Sequence, residues 1–287
     1  MSPLRKKMVD DMTVRGLSEK TIRVYVRGVV GLSSHYDRSP DRIEAQEVQE
    51  YLLFLHRERK LTWSTCNSYR HGIRFFYHIT MGLPEPHFYI PGAKQPSKLP
   101  EILNHEEIVR LFQAALTPKH RAVLMTAYAA GLRCSELTRL RITDIDSGRM
   151  LIRVEQGKGS KDRYVPLSPR LLQELRVYWT LVRPEVWLFP GQRADGSLNP
   201  ETPKFFYRDA KAAAGITKTG GIHSLRHAYA TDLLLAGVGL HDIQRRMGHK
   251  SINSTMRYLR LAHGGAQSTP SPLDLLELPG PPEPDTD

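Results

Sequence analysis

Between Pro84 and Pro100 the chain carries five prolines and loses every helical period. Proline removes a backbone donor and pushes the residue before it out of the helical region, so this stretch has to run extended. It divides the 287-residue chain, which is long enough for two hydrophobic cores. The division expected is a helical N-terminal domain over residues 1–90, a linker over 91–100, a second domain over 101–265 and a tail over 266–287.

On the N-terminal side every apolar stripe has helical spacing. Ser18 is a plausible N-cap before Ile22, Tyr25, Val26 and Val29, and Val48, Tyr51, Leu52 and Leu55 repeat the pattern. Cys66, Tyr69, Ile73 and Phe76 form a further stripe, and Leu4, Met8 and Met12 a weaker one, which predicts a four-helix unit. Arg70 and Arg74 lie beside the third of these stripes, and Lys94 and Lys98 lie in the proline-rich strap; all four are candidate contacts to an anionic backbone.

Past the strap, Asn104 and Glu107 have capping-box spacing ahead of Ile108, Leu111, Phe112 and Ala115. Lys119 to Ala130 reads as a buried helix closed by Gly131 in a left-handed cap. From Ile142 to Leu167 the period changes: Ile152 and Val154 alternate, Gly157-Lys158-Gly159 interrupts, and Tyr164, Val165 and Leu167 resume. That is a β-hairpin or small antiparallel sheet with a Gly-flanked lysine at the tip. Helical patterns return over 169–183, 203–214 and from Gly221 onward, so the fold class is mainly α with a small antiparallel β-sheet. After His263 come many prolines and acids of one sign, a composition that favours disorder; Leu273, Leu275, Leu276 and Leu278 could still form one docking turn.

The net charge of +11 understates the basic body, because the last twenty residues hold five acids and no Lys or Arg. Such a charge points to a polyanionic partner, most commonly nucleic acid. Two cysteines, Cys66 and Cys134, make no disulfide framework and suit a reducing cytoplasm. The basic N-terminus is not followed by an apolar signal-peptide core, and no apolar run is long enough to cross a bilayer.

The chemistry-bearing residues concentrate between Gly221 and Leu261, where His223, Arg226 and His227 share one turn, His249 follows a glycine and Tyr258 sits on an amphipathic run. Singly, each has an ordinary structural explanation. His223 and His227 have the spacing of a zinc pair, but Ser224 stands where a metallopeptidase needs its glutamate. Together with Arg133 and Lys158 they describe one reaction. Guanidinium groups suit the charge gathering on a pentacoordinate phosphate, a phenol is a workable nucleophile, and a lysine on a hairpin can protonate a leaving oxygen. No carboxylate cluster suggests a metal and no glycine-rich loop suggests a nucleotide, so no cofactor is expected.

The order and spacing resemble the tyrosine recombinase, or phage integrase, family over essentially the whole chain up to His263. Gly131-Leu132-Arg133-Cys134-Ser135-Glu136-Leu137 resembles the box around the family's first arginine, Lys158 its hairpin lysine, and His223-Ser224-Leu225-Arg226-His227 its His-x-x-Arg-His signature. Gly248-His249 resembles the next histidine position and Tyr258 the nucleophile; Met247 departs from the leucine usual before Gly-His. The resemblance implies that Arg133 and Arg226 hold a scissile phosphate, Lys158 protonates the 5′ oxygen and Tyr258 attacks. It further implies that His223 assists the tyrosine's proton and His249 hydrogen-bonds the phosphate, with Glu136 and His227 in supporting positions. Lys161 is a rival to Lys158 or a DNA contact.

The same resemblance implies a two-domain C-shaped clamp on double-stranded DNA, with a SAM-like helical core-binding domain and a catalytic domain. It implies a homo-tetramer on two sites that recombines through a Holliday junction, alone or with a second recombinase or accessory protein. The compact layout fits an Xer-like or transposon-type enzyme. Two other readings are a topoisomerase-like enzyme that only relaxes DNA and a DNA-binding protein that has lost the chemistry. Strand exchange between two labelled sites separates the first, and a missing Tyr or Arg, not found here, would mark the second.

Overall fold

The computed structural model describes residues 2–84, 92, 100–155, 162–192 and 196–262, of which 260 and 262 by backbone alone. Lys94, Lys98, Lys158, Lys161 and the acidic tail lie outside the described residues. The chain divides into two compact units, Met1–Lys98 and Leu99–Asp287. Among the described residues no helix is long and apolar enough to cross a membrane.

The first unit holds helices α1 (Pro3–Val14), α2 (Glu19–Tyr36), α3 (Ala45–Arg57) and α4 (Trp63–Phe75), the last running on into a π-helical turn over Phe76–Thr80. Ser18 accepts from the Thr21 amide and Thr62 from the Thr65 amide, so α2 and α4 both start on hydroxyl caps. The apolar stripes meet in one core of Met8, Met12, Val26, Val29, Leu32, the whole Val48–Tyr51–Leu52–Leu55 set, Cys66, Ile73 and Phe76. Ile22, Tyr25 and Tyr69 flank it half-buried, and α2 and α4 cross so closely beside the two tyrosines that only glycine fits opposite them. A Cβ on Gly72 would lie 2.5 Å from the Tyr25 Cα, and one on Gly28 would lie 3.0 Å from the Tyr69 carbonyl oxygen. Arg74 is exposed on this unit and Arg70 is half-buried.

The second unit begins with α5 (His105–Gln113), whose capping box is complete: the Glu107 amide donates to Asn104 and the Asn104 amide donates back to Glu107. Helix α6 (Pro118–Ala129) is buried through Ala122, Val123, Leu124 and Ala127 and ends in a Schellman turn. There Gly131 adopts a φ of +58°, its amide donates to Tyr128 and the Leu132 amide to Ala127. A one-turn helix α7 (Cys134–Leu137) follows at once.

Three antiparallel strands come next in the order β1 (Ile145–Asp146), β2 (Leu151–Val154) and β3 (Arg163–Pro166). The hairpin expected from the sequence is β2–β3, with Ile152 opposite Val165 and Val154 opposite Arg163, and the short β1 pairs with β2 to make it a small antiparallel sheet. Its phase on β3 differs from a reading that groups Tyr164 with Val165. Arg163 and Val165 point inward with Leu167 beyond the strand, while Tyr164 is exposed.

Helices α8 (Pro169–Val182) and α9 (Thr202–Ala213) pack against α6, and α10 (His223–Leu235), α11 (Leu240–Met247) and α12 (Asn253–Ala262) complete the unit. The architecture is thus mainly α with one small antiparallel sheet. A satellite core of Tyr229, Ala230, Ile243, Met247 and Tyr258 joins α10, α11 and α12, and this cluster carries the site.

Candidate active site

The site is built around the C-terminus of α11. Gly248 has a φ of +61°, its amide donates to Arg245 and the His249 amide to Gln244, a second Schellman turn. Those two bonds leave the carbonyls of Arg246, Met247 and Gly248 without helical partners, at the negative end of the helix dipole. Each takes one guanidinium. Arg163 Nε donates to Arg246 at 2.7 Å, Arg226 Nη2 to Met247 at 2.6 Å and Arg133 Nη2 to Gly248 at 3.0 Å. Arg226 Nη1 also donates to the carbonyl of Gly131, so the two Schellman turns are tied to each other through the arginines.

Three cations this close need a counter-charge, and Glu136 supplies it. Its carboxylate, 8% exposed, accepts from the Arg133 amide and Nη1 at 2.9 and 2.7 Å and is gripped by the Arg163 fork at 2.8 and 3.0 Å. Arg226 Nη1 lies 3.8 Å from the same carboxylate. Burial alone would raise the Glu136 carboxyl, but the hydrogen bond and charge of Arg163 and the amide and charge of Arg133 hold it down at about 2. Burial and the neighbouring Arg133 bring Arg226 down to about 10, which leaves it charged at neutral pH. One carboxylate against three guanidiniums leaves an excess of positive charge suited to an oxyanion.

On α10, His223, Arg226 and His227 stand at i, i+3 and i+4, which puts them along one side of the helix. Arg226 is buried, while His223, in the first turn, is exposed. His223 makes no hydrogen bond among the described residues; burial of part of its ring and the charges of Arg226, Lys204 and Arg133 lower its pKa. Tyr258 is 2% exposed on α12, and its Oη lies 3.0 Å from His227 Nδ1. His249 stacks almost parallel to the Tyr258 ring, with centroids 6.3 Å apart, and its Nδ1 is bonded to Thr255 Oγ1 at 2.8 Å. Burial first, and then nearby cations, hold both His227 and His249 near 4, so both rings are neutral at neutral pH. Burial raises the Tyr258 phenol against the opposing charges of Arg226, Arg257 and Arg133.

Of the residues singled out in the sequence, Arg133, Glu136, His223, Arg226, His227, His249 and Tyr258 therefore come together. Arg70 and Arg74 belong to the other unit. Among the described residues no group of three or more His, Cys, Asp or Glu is placed to hold a metal ion. Sequence reasoning missed Arg163 and Thr255. Arg163 carried a signal, a charged residue in phase with Val165 and Leu167 on a half-buried strand. Thr255, fully buried opposite His249, carried none.

Sequence comparison assigns this pair of helical units, with its tyrosine beside two arginines, to a known family. The chain belongs to the phage integrase family, whose model matches residues 101–264, and the N-terminal SAM-like domain of phage integrases matches residues 4–85. It is 42% identical over 285 residues to an integrase/recombinase of Sinorhizobium fredii, covering 99% of this chain and 92% of that protein. A tyrosine recombinase of Thermosipho africanus is 30% identical over 260 residues, covering 87% of this chain and 91% of that protein. The crystal structure of XerA recombinase aligns with a TM-score of 0.53 at 29% identity over 89% of this chain and 92% of that one. A lambda integrase tetramer bound to a Holliday junction shares the fold with a TM-score of 0.74 at 19% identity, over 89% of this chain and 76% of that one. Family membership makes this protein a site-specific DNA recombinase of the tyrosine class.

Proposed function

We propose that this recombinase cuts and rejoins duplex DNA through a covalent 3′-phosphotyrosyl link to Tyr258. The observation that carries the reading is the pairing of Arg133 and Arg226, both tethered to the turn that presents His249, beside the buried phenol of Tyr258. Both guanidiniums rest on backbone carbonyls, and a phosphodiester is a stronger acceptor than a carbonyl. An entering phosphate would therefore draw their free N–H groups to its non-bridging oxygens, where charge accumulates in the pentacoordinate state. His249 would donate a further hydrogen bond to the phosphate, and His223 stands exposed at the open start of α10. Lys158, or its rival Lys161, would protonate the departing 5′ oxygen.

The basic surface would supply salt-dependent, mostly phosphate-directed affinity, with Arg70, Arg74, Lys94 and Lys98 among the contacts. The tetrameric lambda integrase with the same fold supports a tetramer as the working state, two protomers on each of two sites. A duplex nicked so that the cleaved end diffuses away would trap the adduct. The wild-type protein is expected to give a denaturant-resistant protein–DNA band mapped to Tyr258, and Tyr258→Phe none. An adduct that persists in Tyr258→Phe would overturn the reading.

A further inference from the structure

Three imidazoles surround the reacting centre, and their bonding differs. His249 presents a ring face to Tyr258 and has committed Nδ1 to Thr255. His223 stands exposed at the helix start with no hydrogen-bond partner among the described residues. His227 alone of the three hydrogen-bonds the phenol, Nδ1 to Oη at 3.0 Å with the rings inclined at 48°. Arg226, the residue before it on α10, is one of the two arginines assigned to the phosphate, so one helix turn carries a phosphate ligand and the tyrosine's partner.

The phenol needs such a partner. Burial has raised its pKa, so it enters the reaction protonated and is a poor nucleophile until its proton leaves. His227 is neutral at working pH, and a neutral imidazole with hydrogen on Nε2 presents Nδ1 as an acceptor. The groups that hold it neutral, after burial, are His223, Arg257 and Arg226. Two of these are cations, and an anionic phosphodiester seated on Arg226 would offset part of their effect. Its basicity would thus rise when substrate is in place.

Resting on the phosphotyrosyl reading above, we propose that His227 is the general base of the cleavage step and the general acid of rejoining. In cleavage the Oη–P bond forms and the P–O5′ bond breaks. The phenolic proton passes to His227 Nδ1, and the 5′ oxygen takes its proton from the lysine. In rejoining the 5′ hydroxyl attacks phosphorus and returns its proton to the lysine. The Oη–P bond then breaks, and His227 gives its proton back to Oη.

The test uses the full-length protein and the nicked duplex, with single-turnover adduct formation followed from about pH 4 to 9, a window that spans the His227 value near 4. His227→Gln keeps a polar group beside the phenol but cannot take the proton. It is expected to bind the duplex as wild type does and to form adduct about a hundredfold more slowly. Replacing Tyr258 by difluorotyrosine, a more acidic phenol, is expected to return at least tenfold of that loss. Wild-type adduct rates within about threefold in His227→Gln would overturn the proposal, and so would a faster rate, which would mean that the bond merely holds the tyrosine back. Absence of any gain from difluorotyrosine would leave His227 a structural residue.

Should His227→Gln fail to fold, the otherwise unmutated protein decides. A rate that rises with a group between about 4, where His227 titrates without substrate, and the ordinary 6.5, and that stays there when difluorotyrosine replaces Tyr258, supports His227. A rise that moves with the acidity of the phenol overturns it. Tyr258→Phe separates the two readings: loss of adduct there with unaltered rates in His227→Gln refutes only the base, whereas adduct in Tyr258→Phe refutes the nucleophile.

Discussion

Replacing Glu136 by glutamine removes one charge and almost no volume. In the native protein its two oxygens accept four hydrogen bonds, two from Arg133 and two from the Arg163 fork, with Arg226 close by. A glutamine keeps one oxygen and turns an NH2 group toward donors, so about two charge-assisted bonds of roughly 1.5–3 kcal/mol each are lost. Arg163 and Arg226, 7% and 6% exposed, are left buried without a counter-ion. The first route gives about 3–6 kcal/mol and the second about 3–5 kcal/mol. Urea unfolding measures it in a Trp63→Phe background, where Trp179 and Trp187 report on the second unit. The carboxyl titrates at about 2 in the fold against an ordinary value of 4.5. Its contribution is therefore complete above about 4.5 and is lost as the pH falls toward 2, so the gap between wild type and variant should close over that window. A loss under about 1 kcal/mol near neutral pH, or a gap that stays constant from about pH 5 to 3, would refute the account of Glu136 as hub.

Other consequences can be checked more briefly. Arg133→Ala and Arg226→Ala should each slow adduct formation by about 10²-fold or more, as removal of a transition-state donor does, and near-normal rates in the trapping assay would contradict their role. His227 and His249 titrate near 4 in the fold, below the ordinary 6.5, so the unfolded chain binds protons there that the fold does not. Stability should fall as pH drops from about 6.5 to 4, and a His227→Gln/His249→Gln protein should lose much of that slope in urea melts. Gly248→Ala forces a Cβ into the left-handed region and should cost about 1–2 kcal/mol in thermal unfolding, with adduct formation reduced because His249 is displaced. Gly72→Ala, whose Cβ would press on the Tyr25 backbone, should destabilise the first unit by about 1–3 kcal/mol while leaving the second unit's transition in place.

Local patterns in the chain settled a good deal by themselves. The helical stripes of the first unit, the Asn104–Glu107 box, the left-handed cap at Gly131 and the β2–β3 hairpin all depend on neighbours within a few residues. Periodicity and turn chemistry report on that range. The catalytic candidates were legible as an ordered series of residue types for the same reason: each sits in a short motif of its own. What periodicity cannot report is which motif touches which. Arg163 meets Glu136 across 27 residues of sequence, Arg246 across 83, and Arg133 meets Gly248 across 115. The inward phase of Arg163 on β3 follows the alternation with Val165, but the carboxylate it meets there lies in a distant motif. The choice between His223 and His227 as the partner of the phenol likewise came from the packing of α10 on α12, which brings Tyr258 to His227 across 31 residues. Sequence determined the parts and their local geometry. Tertiary packing, which alone brings distant charges into a site too dry to leave them unpaired, decided that three arginines share one glutamate and one helix end.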